Sequence, residues 1–223
     1  MLTHEDVVTV LGRRGWGKTS LSRILQNPFF TGRVVIIDRM REYSNLVRAD
    51  FAASFHSFCE LLKKHEDSSS CLIIYQVGTD EEEIEFNEAL RCIYHFGDCL
   101  LVIEEIHHFA SPHSMPSQLR EILLTGRHRG IALLSTSQRP GEVHKTILSQ
   151  SSHVFAGSIH ETNDLKYLSS FLGKDAEMLR VLKKIPQRGA EFVHFRLDGS
   201  DAPPQKIFVE YGKNGKVQNK NST

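Results

Sequence analysis

The sequence predicts an α/β fold in which helices cover a mostly parallel β-sheet. Short apolar runs, several of them rich in β-branched residues, alternate with longer stretches of helical periodicity. Several of those runs are apolar at nearly every position, as expected of strands buried on both faces. A glycine-rich segment, residues 12–17, stands between the first run and the first helical stretch.

Strands are predicted at 7–11, 34–38, 71–77, 100–104, 131–136 and 154–158, each followed by a polar turn. Helical periodicity fits 18–26, 81–94, 118–124, 142–148, 163–171 and 176–184. Thr79 with Glu82 reads as a capping box. The acids at 80–83 suit the positive end of a helix better than a metal cluster. Residues 190–196 and 206–211 flank a turn-rich segment and predict a closing antiparallel hairpin. The last residues, 213–223, are polar and lack acids, which predicts a disordered tail behind a single domain spanning 1–212.

Composition narrows the function classes. The chain has 223 residues, 27 basic and 27 acidic, so a protein that coats nucleic acid over its whole surface is disfavoured. Any nucleic-acid contact has to be local, such as the lining of a channel. No apolar run approaches the roughly 20 residues that span a bilayer, and the first residues carry no export signal. Cys59, Cys71, Cys92 and Cys99 have no Cys-x-x-Cys spacing and read as reduced cysteines of a cytoplasmic protein.

Gly12-Arg13-Arg14-Gly15-Trp16-Gly17-Lys18-Thr19 matches the P-loop pattern, with a strand before it and a helix after it. The glycines let the backbone curl around phosphates with its N–H groups inward, and the helix start adds positive dipole there. Lys18 is expected to reach the β- and γ-phosphates, and Thr19 to offer its hydroxyl to Mg²⁺. Trp16, the only tryptophan, is expected to pack against the loop; stacking on a base or a neighbouring subunit is the alternative. Arg13 and Arg14 read as solvated or loosely phosphate-facing.

Glu104 and Glu105 end a buried strand. Adjacent strand residues point to opposite sides, so the two acids should have separate jobs. Glu104 is assigned to magnesium and Glu105 to the water that attacks the γ-phosphate. Gln138, at the tip of another strand, is a candidate sensor of that phosphate. Arg127, within Gly126-Arg127-His128-Arg129-Gly130, is a candidate to stabilise a neighbouring subunit's transition state.

In their order along the chain these stretches resemble the HerA–FtsK superfamily of DNA-pumping ATPases. They are the loop at 12–19, Val34-Val35-Ile36-Ile37-Asp38 with Arg41-Glu42-Tyr43, Leu101-Val102-Ile103-Glu104-Glu105-Ile106-His107, the segment 126–130 and Leu134-Ser135-Thr136-Ser137-Gln138-Arg139-Pro140. The resemblance implies a RecA-like three-layer P-loop NTPase with sheet order 5-1-4-3-2. It also implies a ring of usually six subunits, ATP and Mg²⁺ as ligands, and movement of double-stranded DNA. By the same resemblance Glu105 is the catalytic glutamate, Gln138 the sensor and Arg127 the arginine finger acting in trans. The family usually has Asp where this chain has Glu104, which leaves open which of the two acids holds magnesium.

A chain that is nearly all ATPase core resembles the genome-packaging ATPases of membrane-containing, double-jelly-roll viruses. That layout implies capsid portal-vertex partners and a place in the host cytoplasm or at the virion packaging vertex. The alternatives are an ATPase for virion assembly or export, a cellular HerA-like translocase, a small-molecule P-loop kinase and an ATP-gated scaffold. His107, His108 and His113 lack a metal spacing and read as loop histidines. The irregular segment 111–117 is a candidate DNA-facing pore loop.

Overall fold

The apolar runs of the sequence become the middle of one sheet. In the computed structural model, residues 3–27, 32–43, 49–77, 82–200, 202–212 and 217–219 are described. The strands β1 (Val7–Leu11), β2 (Arg33–Ile37), β3 (Asp50–Ala52), β4 (Cys71–Tyr75), β5 (Cys99–Ile103), β6 (Ile131–Ser137) and β7 (His153–Ala156) pair in parallel. The strands β8 (Lys184–Ile185), β9 (Gly189–Arg196), β10 (Gln205–Glu210) and β11 (Val217–Asn219) add to it in antiparallel fashion. The spatial order is β11-β10-β9-β7-β1-β6-β5-β2-β4-β3, with β8 beside β9. The implied order 5-1-4-3-2 is contained in it as β7-β1-β6-β5-β2. The sheet differs in detail because β4 and β3 extend it beyond β2, while the antiparallel group extends it beyond β7.

The period of two along each strand divides the core into two layers. Val34 and Ile36 face one side with Val8, Val10, Leu100, Val102 and Leu134, where Leu21 of α1 (Lys18–Gln26) packs. Val35 and Ile37 face the other with Leu101, Ile103 and Leu133. Four helices supply that second layer: α2 (Phe55–Lys64), α3 (Glu82–Phe96), α4 (Ser117–Thr125) and part of α5 (Lys145–Gln150). Helix α6 (Thr162–Leu172) joins the first layer through Leu165, Leu168 and Leu172. Each such side chain contributes roughly 1.5–3 kcal/mol by leaving water, so the helices are held mainly by their apolar stripes.

Several elements differ from the sequence expectation. Helix α2 and strand β3 were not foreseen. Ser54 caps α2 through a reciprocal pair with Ser57, and Phe58 and Leu62 bury one side of the helix. Residues 176–184 are not α-helical. A 3₁₀ segment, Gly173–Val181, precedes the short strand β8. The helix predicted at 142–148 begins only at Lys145, after a 3₁₀ turn at Pro140–Glu142, with His144 as its cap. Within the tail predicted as disordered, Val217–Asn219 pairs with β10, whose outer edge offers unpaired backbone groups. Thr79 and residues 80–81 of the expected capping box lie outside the described residues, as do 213–216 and 220–223 of the tail.

One buried cation ties the lower edge of the sheet. Arg33, at the start of β2, donates to the carbonyls of Glu66, Phe96, Gly97 and Asp98 at 2.7–3.2 Å. Its guanidinium lies 4.0 Å from the Phe96 ring centroid. The planar fork of arginine suits such a convergence of acceptors.

Candidate nucleotide-binding site

The carboxyl ends of parallel strands are where α/β sheets bind ligands, and here β1, β5 and β6 end together. The chain leaves β1 through Gly12, Gly15 and Gly17, all with positive φ (154°, 70° and 98°). Gly17 is the N-cap of α1 and has no side chain to occupy the first-turn amides. The bend is braced from beneath. Gly12 N donates to Ser137 O (3.2 Å), and Trp16 N to Arg13 O (3.1 Å).

Trp16 is buried, packs on Gly157 and donates from Nε1 to Glu191 O at 2.9 Å. The tryptophan therefore packs against the protein, with the Arg13 guanidinium 5.2 Å from its ring centroid. Strand β8 and the residue that follows β10 grip the loop from the other side. Tyr211 Oη donates to Trp16 O (3.1 Å), and Lys184 Nζ to Gly15 O (2.6 Å).

A cleft of about 480 Å³ opens above the loop, lined by Arg14, Gly15, Gly17, Lys18, Thr19, Ser20, Met40, Glu42, Glu105, Gln138 and Tyr211. Lys18 Nζ lies 3.3 Å from Glu105 Oε1, both side chains largely buried. Gln138 holds the same carboxylate twice, through Nε2 to Oε1 (2.8 Å) and through its backbone N to Oε2 (3.1 Å). Glu105 N in turn donates to Thr136 Oγ1 (3.0 Å). Glu105 has φ of 51°, a left-handed conformation that costs a non-glycine residue roughly 1–3 kcal/mol. That twist turns its carboxylate away from the side taken by Glu104 and into the cleft.

Glu104 is not among the residues lining the cleft. Its side chain is fully buried, with Oε1 accepting from Tyr43 Oη (2.6 Å) and Ser22 Oγ (3.2 Å), and Oε2 from Thr136 Oγ1 (2.5 Å). Burial pushes its pKa up, partly offset by these hydroxyl donors. The residue the sequence assigns to magnesium thus lies one helical turn along α1 from Thr19, beside Ser22. The Thr19 hydroxyl donates instead to Glu42 Oε2.

Arg127 is exposed in the turn Gly126–Arg129 before β6. Ser137 and Gln138 lie at the far end of that strand, so Arg127 sits at the opposite edge of the sheet from its own cleft. Its neighbour Arg129 is engaged locally with Tyr94 O and His95 O.

The sequence assigns no role to Glu42 or Tyr211, which line the cleft, nor to His107, which lies beside Glu105. Glu42 lies on the turn after β2, and only its place in Arg41-Glu42-Tyr43 hinted at a role. Tyr211 arrives from the far end of the chain. His107, read as a loop histidine, has Nδ1 3.1 Å from Ser137 Oγ and 3.4 Å from Glu105 Oε2. Burial holds its pKa below the usual histidine value, and His108 adds to the effect. Its position two residues after the acidic strand tip was the available signal. Residues 111–116 form a turn closed by a bridge between Ser111 and Ser114, with Pro112, His113 and Ser114 exposed and Pro116 buried.

The oxygen groups around Lys18 suit a hard divalent cation. Mg²⁺ typically takes one or two carboxylates and completes its shell with water and substrate phosphates, and Thr19, Glu42 and Glu105 offer one hydroxyl and two carboxylates.

The glycine bend, the lysine at the helix start and the acid at the neighbouring strand tip, on this sheet, define a P-loop NTPase fold. Among known proteins, the chain is 25% identical over 184 residues to Protein P9 of Pseudoalteromonas phage PM2, covering 82% of each. The genome packaging NTPase B204 of Sulfolobus turreted icosahedral virus 2, solved in complex with ATPγS, superposes with a TM-score of 0.70. It is 16% identical, with 97% of this chain and 98% of that one covered. The N-terminal domain of zonular occludens toxin from Neisseria meningitidis gives a TM-score of 0.51 at 12% identity, covering 93% and 95% of the two chains. No protein-family model matches the chain. Among the described residues, no helix is long and apolar enough to cross a membrane.

Proposed function

We propose that the chain hydrolyses ATP and, as one subunit of a ring, uses the energy to drive double-stranded DNA into a viral capsid. The observation that carries the hydrolytic part is Glu105, on a strained backbone, with its carboxylate held by Gln138 and paired with Lys18 at the mouth of the P-loop. A carboxylate so fixed beside the phosphate-binding lysine supports a role in activating the nucleophile, which in this reading is water. The likeness in fold to a genome packaging NTPase, over nearly the whole of both chains, supports the packaging part.

The amides of 15–19 and the Lys18 ammonium cradle the phosphates. As Lys18 turns to the β- and γ-phosphates it releases Glu105, which orients a water molecule in line with the γ-phosphorus and draws on its proton. The bond to the β,γ-bridging oxygen breaks, giving ADP and phosphate. A bound Mg²⁺ ion would offset the negative charge of the phosphate oxygens, and the Thr19 hydroxyl is one group that would hold it. Gln138, bonded to Glu105 on two sides, links the state of the γ-phosphate to β6. Arg127, remote from its own cleft, serves a neighbour's. The turn at 111–117 faces DNA.

The test is ATP turnover with and without duplex DNA for wild type, Lys18→Ala and Arg127→Ala. We expect DNA to stimulate wild type and both variants to be inactive. Mixing Arg127→Ala with Glu105→Gln should restore activity, because one mixed interface would carry both intact groups; no rescue at any ratio would remove Arg127 from the mechanism. Loss of DNA stimulation on replacing 111–117 with a neutral linker would support the pore-loop role, and unchanged stimulation would end it. The sequence leaves a second reading, an ATPase for virion assembly or export. Turnover indifferent to DNA would select it.

A further inference from the structure

We propose that Glu42 is the carboxylate that partners the P-loop threonine in holding the nucleotide's divalent cation. This deepens the ATPase reading above and rests on it. The Thr19 hydroxyl donates to Glu42 Oε2, and both groups line the cleft beside Lys18. A hydroxyl that gives its proton to a carboxylate keeps its lone pairs for a cation, and the carboxylate brings the negative charge that a divalent ion needs.

Glu42 is held in place by its backbone. Asp38, fully buried at the end of β2, accepts from Glu42 N through Oδ1 (3.0 Å) and from Tyr43 N through Oδ2 (2.8 Å). Arg23 of α1 donates to Glu42 O at 2.8 Å, tying the turn to the helix that carries Thr19. Both peptide groups of Glu42 are therefore pinned while its side chain remains exposed to the cleft.

The competing acid is spent elsewhere. Both oxygens of Glu104 accept from hydroxyls of Ser22, Tyr43 and Thr136, and the residue is 2% exposed. A glutamate at this strand tip extends past Thr19 to Ser22, the residue one turn further along α1. Glu104 then organises the floor of the site, bracing Tyr43 and so the turn that carries Glu42, and leaves the cation to Glu42.

The experiment is a titration of Mn²⁺, followed by its electron paramagnetic resonance signal, into the full chain saturated with a non-hydrolysable ATP analogue. Wild type, Glu42→Gln and Glu104→Gln are compared, together with analogue affinity in the absence of metal. We expect Glu42→Gln to weaken Mn²⁺ binding by about 10–100-fold with metal-free analogue affinity unchanged, and Glu104→Gln to bind Mn²⁺ as wild type does. Wild-type Mn²⁺ affinity in Glu42→Gln, or a larger loss in Glu104→Gln, would overturn the proposal. If Glu104→Gln does not fold, Glu42→Gln decides alone, since Glu42 is exposed and its neutral variant keeps the turn's backbone bonds. Failure of wild type to bind the analogue at all would strike the ATPase reading itself, a distinct outcome.

Discussion

Lys18 Nζ and Glu105 Oε1 lie 3.3 Å apart with both side chains withdrawn from solvent. A buried pair of this kind is costly to break by removing one partner, by about 3–5 kcal/mol, but phosphates can replace one partner with another. Exchange of Lys18 from carboxylate to phosphate would couple arrival of ATP to release of Glu105.

Gln138 should then matter for turnover more than for binding. In Gln138→Ala the backbone N–H to Glu105 survives and the side-chain bond to Oε1 is lost. A hydrogen bond to a charged group contributes about 1.5–3 kcal/mol, so kcat should fall roughly 10–100-fold with ATP affinity nearly unchanged. Steady-state kinetics with a parallel binding titration would check this; an equal loss in both would refute the division.

The packing of Trp16 on Gly157 can be read optically, because the chain has one tryptophan. A Cβ added at Gly157 would come within 2.3 Å of Trp16 Cδ1. Gly157→Ala should displace the indole, shift its fluorescence emission to the red and weaken ATP binding. Unchanged emission with intact binding would show that the loop does not depend on this contact.

Arg33→Ala should lower stability by about 3 kcal/mol or more, because four carbonyls lose a charged donor at a buried edge. Arg33→Lys should recover little of it, lacking the planar fork. Thermal or urea denaturation gives the answer, and a loss below about 1 kcal/mol would contradict the assigned role.

Acid should weaken the join between β7 and β9. His153 Nδ1 and His194 Nε2 are 3.0 Å apart, and His194 stacks on Phe155. Burial first, and then the neighbouring His153, depress the His194 pKa to about 4; burial lowers that of His153 as well. The unfolded chain takes up protons near pH 6.5 while the folded chain resists, so stability is full above that pH. It declines as pH falls toward 4, by on the order of 2 kcal/mol after allowing for partial exposure. Stability of wild type should drop more than that of His194→Gln between pH 7 and 5; parallel curves would refute the linkage.

Much of this architecture was legible because local pattern and tertiary structure agree. Strand β1 and helix α1 occupy the predicted residues, since a glycine bend between an aliphatic run and an amphipathic stretch leaves the chain few options. Helix α2 was missed because its signal is short: a Ser54 cap and buried positions at Phe58 and Leu62. The lining of the cleft was partly visible. Lys18, Thr19, Glu105 and Gln138 sit at strand and helix ends that sequence can locate. The inward course of Glu104 was not visible, because it depends on hydroxyls from three separate elements. Glu42 and Tyr211 escaped for a similar reason: a turn after β2 and the end of β10 reach the loop only through the assembled sheet.

The most direct measurement is phosphate release by Glu105→Gln beside wild type, at matched ATP occupancy, with Mg²⁺ and duplex DNA present. The amide keeps the shape of the side chain and removes its charge. The account predicts that the variant binds ATP and releases phosphate at least roughly 10²-fold more slowly. Release at the wild-type rate from a fully loaded variant would contradict it.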